Sequence, residues 1–279
     1  MSSEFSLSNV VPSYRLDGKV AVITGGSGGL ASFLSRGLLS QGAEIALIDT
    51  NQQRIDEAAI QLSQWGVDKL GLKPEAVPKV TAWVCNIGDA ANVEETFTAI
   101  NATHGKLSTV MVNTAGYCEN YPAESYPAAN AENLMKVNGL GSLYVSQSFA
   151  RPLIAAKLSG SIILIGSMSG SIVNTPQCQT MYNMSKAGVI HLTKSLACEW
   201  APYNIRVNCL SPGYILTPLT KHVIADSSTL QDAWVSRIPQ KRMAAPKEFV
   251  GSVLYLASDS ASSYTTGLNM VVDGGYECW

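Results

Sequence analysis

The chain has 279 residues, of which 46% are hydrophobic and only 14% charged, with a net charge of −2. That balance excludes intrinsic disorder, which needs low hydrophobicity and high charge, and offers no basic surplus for a nucleic-acid phosphate backbone. The uncharged stretch from 158 to 185 is interrupted throughout by Gly, Ser, Asn, Gln and Pro, so it does not read as a membrane span.

The first 14 residues are polar and read as an arm outside the core, with no apolar leader, which points to a cytoplasmic protein. After them, apolar runs alternate with helical patterns. Lys19–Thr24 is a short β-branched strand, and Leu30, Phe33, Leu34 and Leu38 follow at helical spacing up to Gln41-Gly42. Glu44–Asp49 predicts a second strand, 51–65 a helix, 66–79 a loop, and Val80–Cys85 a third strand. A helix over 90–102 and a strand at Thr109–Asn113 come next. Leu134, Val137, Gly141, Val145, Phe149 and Leu153 then mark a long helix over 129–156, with Pro152 expected to bend or end it. Ser161–Ile165 is a fifth strand, 182–203 a helix with Val189, Leu192, Leu196 and Trp200 inward, and Ile205–Leu210 a sixth strand. Residues 212–246 are irregular with a short helix or two, followed by a helix at 248–257 and a seventh strand at Leu268–Val272.

The strands are continuously apolar, as expected where both sheet faces are covered. Strand–helix alternation with short connections predicts right-handed crossover units. The expected fold is therefore α/β: one Rossmann-type doubly wound parallel sheet of about seven strands, a single domain over 15–279, with a substrate lid at about 213–245. Six scattered cysteines without a CxxC pair read as reduced thiols, and three histidines without ligand spacing give no metal site.

The first strand runs directly into Thr24-Gly25-Gly26-Ser27-Gly28-Gly29-Leu30-Ala31, a glycine-rich turn that opens a helix. Such a turn lets a diphosphate approach the backbone, and the helix N-terminus favours its charge. Asp49 closes the second strand, where a carboxylate can accept from both hydroxyls of an adenosine ribose and repel a 2′-phosphate; no Arg or Lys lies within 25–31. Both features favour NAD over NADP. The competing role for Asp49 is to cap the helix that follows.

Tyr182 and Lys186 form a Y-x-x-x-K pair one turn apart on a helix leaving the fifth strand. An ammonium beside a phenol stabilises the phenolate and lowers the Tyr pKa, which suits proton exchange with an alcohol or ketone oxygen. Ser167, just beyond that strand, can hydrogen-bond the same oxygen, and Ser169 is its nearby competitor. Asn138, in mid-helix where Asn is a mediocre helix former, can hold a water or a backbone carbonyl.

Taken together, the turn at 24–31, Asn113-Thr114-Ala115-Gly116, Asn138, Ser167, Tyr182-x-x-x-Lys186 and Ser211-Pro212-Gly213 resemble, in order and spacing, the short-chain dehydrogenase/reductase family. The resemblance runs from residue 16 to the C-terminus. It implies a catalytic tetrad of Asn138, Ser167, Tyr182 and Lys186. It also implies diphosphate contacts at Gly25, Ser27, Gly28, Gly29 and Leu30, and adenosine contacts at Asp49, Asn86 and Ile87. Cofactor support would come from Asn113, Ala115, Gly116, Tyr182 and Lys186, and the nicotinamide side from Pro212, Gly213, Ile215 and Thr217. The sequence departs from the family pattern at Ala31, where a Gly is usual, at Thr114 in NTAG, and at Asn86, where an Asp is common. Ser167 precedes Tyr182 by 15 residues and Ser169 by 13; the family spacing fits Ser169 better, but the S-x-x-G pattern after the strand fits Ser167, with a two-residue insertion in the loop.

Segments 14–19, 165–170, 181–192, 211–220 and 271–279 further resemble the polyol-oxidising members of the family. That implies NAD-linked oxidation of a small-molecule pentitol to a ketose, with no nucleic-acid or membrane partner. It also implies a homotetramer formed through the helices at 129–156 and 182–203. The alternatives are a broad ketone reductase of the same family and a non-catalytic dinucleotide-sensing protein.

Overall fold

The computed structural model describes residues 10–217, 220 and 228–278. In chain order the elements are β1 (Val20–Thr24), α1 (Gly29–Ser40), β2 (Glu44–Asp49), α2 (Gln52–Leu70), β3 (Val80–Val84), α3 (Ala90–His104) and β4 (Val110–Asn113). They continue with α4 (Ala128–Leu134), a π-helical turn (Met135–Leu140), α5 (Gly141–Ala156), β5 (Gly160–Ile165), α6 (Thr180–Trp200) and β6 (Ile205–Pro212). The last are α7 (Ser228–Arg237), α8 (Val250–Ala257), α9 (Asp259–Ser262) and β7 (Asn269–Val272). Residues 1–9 of the expected arm, and 218, 219 and 221–227 of the expected lid, lie outside the described residues.

All seven strands form one parallel sheet in the order β3-β2-β1-β4-β5-β6-β7. The order reverses between β1 and β4, so the carboxyl ends of these two strands open the crevice where such sheets take ligands. Alternation within one strand divides the core: Val20 and Val22 pack with α3, α5 and α6, whereas Ala21 and Ile23 pack with α1, α2 and α8. β1, β4, β5 and β6 are buried along their whole length, as both-face coverage requires, while the outer strands β3 and β7 are only partly buried.

The helix ends follow local chemistry. Asn51 caps α2 by accepting from the Arg54 amide at 2.9 Å, and Asp89 caps α3 by accepting from the amides of Ala91 and Asn92. Gly71 and Gly105 close these helices in the left-handed conformation.

Three sequence expectations need correction. α2 runs on to Leu70, because Gly66 is no breaker here: its bare Cα lets the helix approach Leu39 and Val77. Phe33 is 40% exposed, outside the core stripe that Leu34 and Leu38 form. Pro152 does not end the long helix, which continues a turn further to Ala156 and stops at Lys157 in the left-handed conformation.

Candidate active site

The glycine-rich turn sits at the switch point. Gly25 has φ +62°, and a Cβ there would meet the Ala115 backbone at 3.0 Å; a Cβ on Gly26 would meet Leu47 and Ile55 at 2.9 Å. The turn is fastened by Gly26 N–H donating to the Ile48 carbonyl and Gly28 N–H to the Gly25 carbonyl, both at 2.9 Å. Neither a capping side chain nor an acidic residue in the first turn occupies the α1 N-terminus, so its amide dipoles face the crevice. A cavity of about 860 Å³ opens there, lined by the turn, the β2 and β3 ends, Ala115 and Gly116. Its size, its glycine cradle and its uncapped helix end fit a dinucleotide.

Of the cofactor contacts read from the sequence, Gly25, Ser27, Gly28, Gly29, Leu30, Asp49, Asn86, Ile87, Ala115, Gly116 and Thr217 line this cavity. Asp49 does not cap α2, since Asn51 does; its carboxylate instead accepts from the Ser27 amide (3.1 Å), the Ser27 hydroxyl (2.6 Å) and the Thr50 amide (2.7 Å). Asn86 uses its side chain to accept from the Gly88 amide at 3.0 Å. Asn113 is buried away from the cavity, between the Thr24 and Ser142 hydroxyls, and holds β1 against β4 and α5. Pro212 completes β6, Gly213 bonds to Val272 and Ile215 pairs with Ala244, and these three do not line the cavity. Sequence reading missed Arg36 and Arg54, which line the cavity from beyond the 25–31 window. Arg36 is engaged with the Ser32 carbonyl at 2.6 Å and lies over the Trp65 ring.

The second cluster adjoins the first through Gly116, where a Cβ would stand 3.0 Å from Asn138 Oδ1 and 3.6 Å from Lys186 Nζ. Asn138, fully buried in the π-helical turn, clamps Tyr117 twice: Oδ1 accepts from its amide at 3.1 Å and Nδ2 donates to its carbonyl at 2.9 Å. Nδ2 also donates to Ser185 on α6 at 3.1 Å. Asn138 therefore ties the β4 loop to the helix that carries Tyr182 and Lys186.

Ser167 follows β5, and its hydroxyl favours ionisation of the Tyr182 phenol, while its Oγ accepts from the Ser169 amide at 3.1 Å. The Ser169 hydroxyl points elsewhere, donating to Asn174 and accepting from Gln179 at 3.1 Å. Lys186 is buried under the Tyr182 ring and donates to the Ile165 carbonyl at 2.7 Å. The expected lowering of the Tyr182 pKa is not found. Desolvation pushes the phenol up to about 12 and the Lys186 ammonium down to about 8, while the Lys186 hydrogen bond goes to a carbonyl and not to the phenol oxygen.

Among the described residues, no group of three or more His, Cys, Asp or Glu is placed to hold a metal, and no helix is long and apolar enough to cross a membrane.

A family model described as Enoyl-(Acyl carrier protein) reductase matches residues 25–277. The chain is 67% identical to a D-arabinitol 2-dehydrogenase [ribulose-forming] of Scheffersomyces stipitis, over 99% of this chain and all of that one. It is 53% identical to an NADH-dependent L-xylulose reductase of Ambrosiozyma monospora, over 98% of this chain and all of that one. Among solved structures, a short-chain type dehydrogenase/reductase from Mycobacterium marinum superposes with a TM-score of 0.84 at 32% identity, covering 95% of this chain and 98% of that one.

Proposed function

The chain belongs to the short-chain dehydrogenase/reductase family, and we propose that it is an NAD-dependent polyol dehydrogenase that oxidises D-arabinitol to D-ribulose. The observation that carries the substrate is the two-thirds identity, end to end, with a ribulose-forming D-arabinitol 2-dehydrogenase. The geometry supports the chemistry: a dinucleotide-sized cavity opens, through Gly116, towards Tyr182 and the buried Lys186 and Asn138, with a serine hydroxyl beside the phenol.

A nicotinamide dinucleotide, when bound, supplies the hydride acceptor. The chain's own residues handle the proton. Tyr182 takes it from the substrate hydroxyl, and Ser167 fixes that oxygen. Lys186 keeps positive charge beneath the phenol ring, and Asn138 holds the Tyr117 backbone against α6. The turn at 25–30 and the α1 N-terminus would hold the diphosphate. Asp49 would accept from the ribose hydroxyls, which supports NAD over NADP, as does the NADH-dependent relative. We further assign a homotetramer and a lid over 213–245, both carried over from the family resemblance.

The test is product analysis. D-Arabinitol and NAD should yield D-ribulose and NADH. Formation of D-xylulose would move the oxidised carbon. Reduction of ketones with NADPH, without polyol oxidation, would favour a general ketone reductase.

A further inference from the structure

A buried polar ladder leads from the Ser167 loop to Tyr214. Gln179, one turn before Tyr182, donates to Ser169 Oγ and Asn174 Oδ1 at 3.1 Å each. Asn174 Nδ2 and Gln177 Nε2 in turn donate to the Tyr214 hydroxyl at 3.2 and 2.9 Å. The Tyr214 ring stacks on Trp234 of α7 at 4.4 Å and meets Tyr276 edge-on at 5.7 Å. Tyr214 is thus the hub where the β6 exit, the loop before α6, α7 and the C-terminal segment converge.

Two side chains touching this hub carry buried polar atoms with no partner among the described residues, Gln177 Oε1 and Trp234 Nε1, while the Tyr276 hydroxyl meets that of Tyr214. Trp234 is 4% exposed and Tyr276 6%. Buried polar atoms left unpaired are costly, and two beside one ring call for a ligand. Their chemistry is mixed, since the amide oxygen accepts and the indole N–H donates. A simple anion would leave the amide oxygen unpaired, and an aliphatic chain would satisfy none of them. A run of vicinal hydroxyls brings a donor and an acceptor on each carbon. The ladder ties the hub to the Ser167 loop and to the first turn of the helix that carries Tyr182, so the hub is coupled to the reacting centre.

Resting on the reading of the chain as a polyol dehydrogenase, we propose that Gln177, Tyr214 and Trp234 form the subsite for the substrate hydroxyls remote from the reacting carbon, and so determine specificity for sugar alcohols. Steady-state kinetics of the full chain test this with Tyr214→Phe and Gln177→Leu. KM for D-arabinitol should rise about tenfold or more while KM for NAD moves less than about twofold, since a site built to bond hydroxyls loses most when a partner is removed. Gln177→Glu keeps an acceptor and should restore part of the loss. Equal shifts in both KM values, no shift in either, or no rescue by Glu would overturn the subsite. A wild-type enzyme that oxidises no polyol would overturn both it and the parent reading.

Discussion

The Lys186 ammonium lies 5.6 Å from the centre of the Tyr182 ring and directs its hydrogen bond at the Ile165 carbonyl. With the phenol pushed up to about 12, Tyr182 is protonated at neutral pH and set to donate. Ketose reduction should therefore be the faster direction near pH 7, and polyol oxidation should climb as the medium turns alkaline. Tyr182→Phe should cost about 10²-fold or more in both directions while NADH fluorescence still reports dinucleotide binding. Retained turnover would remove Tyr182 from the reaction.

Lys186 also has a thermodynamic signature. Its pKa falls from 10.5 to about 8 on folding, so between those values the unfolded chain binds more protons than the folded one. Stability then rises with pH across that window, and below about pH 8 the full penalty of burying the charge is present. Lys186→Met should therefore be more stable at pH 7, by about 2 kcal/mol, and should lose the rise between pH 8 and 10.5. Urea unfolding at pH 7 and pH 10 checks both; a less stable variant at pH 7 would contradict the burial argument.

Ser167 and Ser169 are separable by substitution. The hydroxyl of Ser169 is absorbed by Asn174 and Gln179, whereas that of Ser167 acts on the phenol. Ser167→Ala should lower kcat by about 10²-fold or more, and Ser169→Ala should act chiefly on polyol KM. The reverse pattern would exchange the two assignments.

Asn138 is worth more as a brace than its mid-helix position discloses. Asn138→Ala strands the Tyr117 amide and carbonyl and should destabilise the fold by about 2–3 kcal/mol, with turnover falling as the β4 loop loosens. A thermal melt unchanged from wild type would deny it the bracing role.

Much of this was legible in the sequence, for identifiable reasons. Apolar runs such as EIALID and SIILI mark strands because the sheet is covered on both faces, and Gly25, Gly26 and Gly28 mark the turn because their neighbours crowd the place of a Cβ. What escaped depends on distant partners. Gly66 reads as a breaker until Val77 is seen against it, and the backbone carbonyl that Asn138 can hold has no identity until Tyr117 is placed. The Gln179–Asn174–Tyr214 ladder joins three loop and helix-end segments whose proximity no local periodicity encodes.

Cofactor preference is the last test. Asp49→Asn should weaken NAD, raising its KM about tenfold, and narrow the gap to NADP; rates with each cofactor measure this. An unchanged ratio would shift the discrimination to Arg36 and Arg54, which line the same cavity.

The cap on α2 gives that last experiment a wider meaning. Asn51, two residues along the chain, carries the structural duty that Asp49 could have carried. Asp49 is left to face the cavity and to hold the glycine-rich turn through Ser27. A change at that one position, by evolution or by design, reaches the cavity and its turn without unpicking the helix beside it.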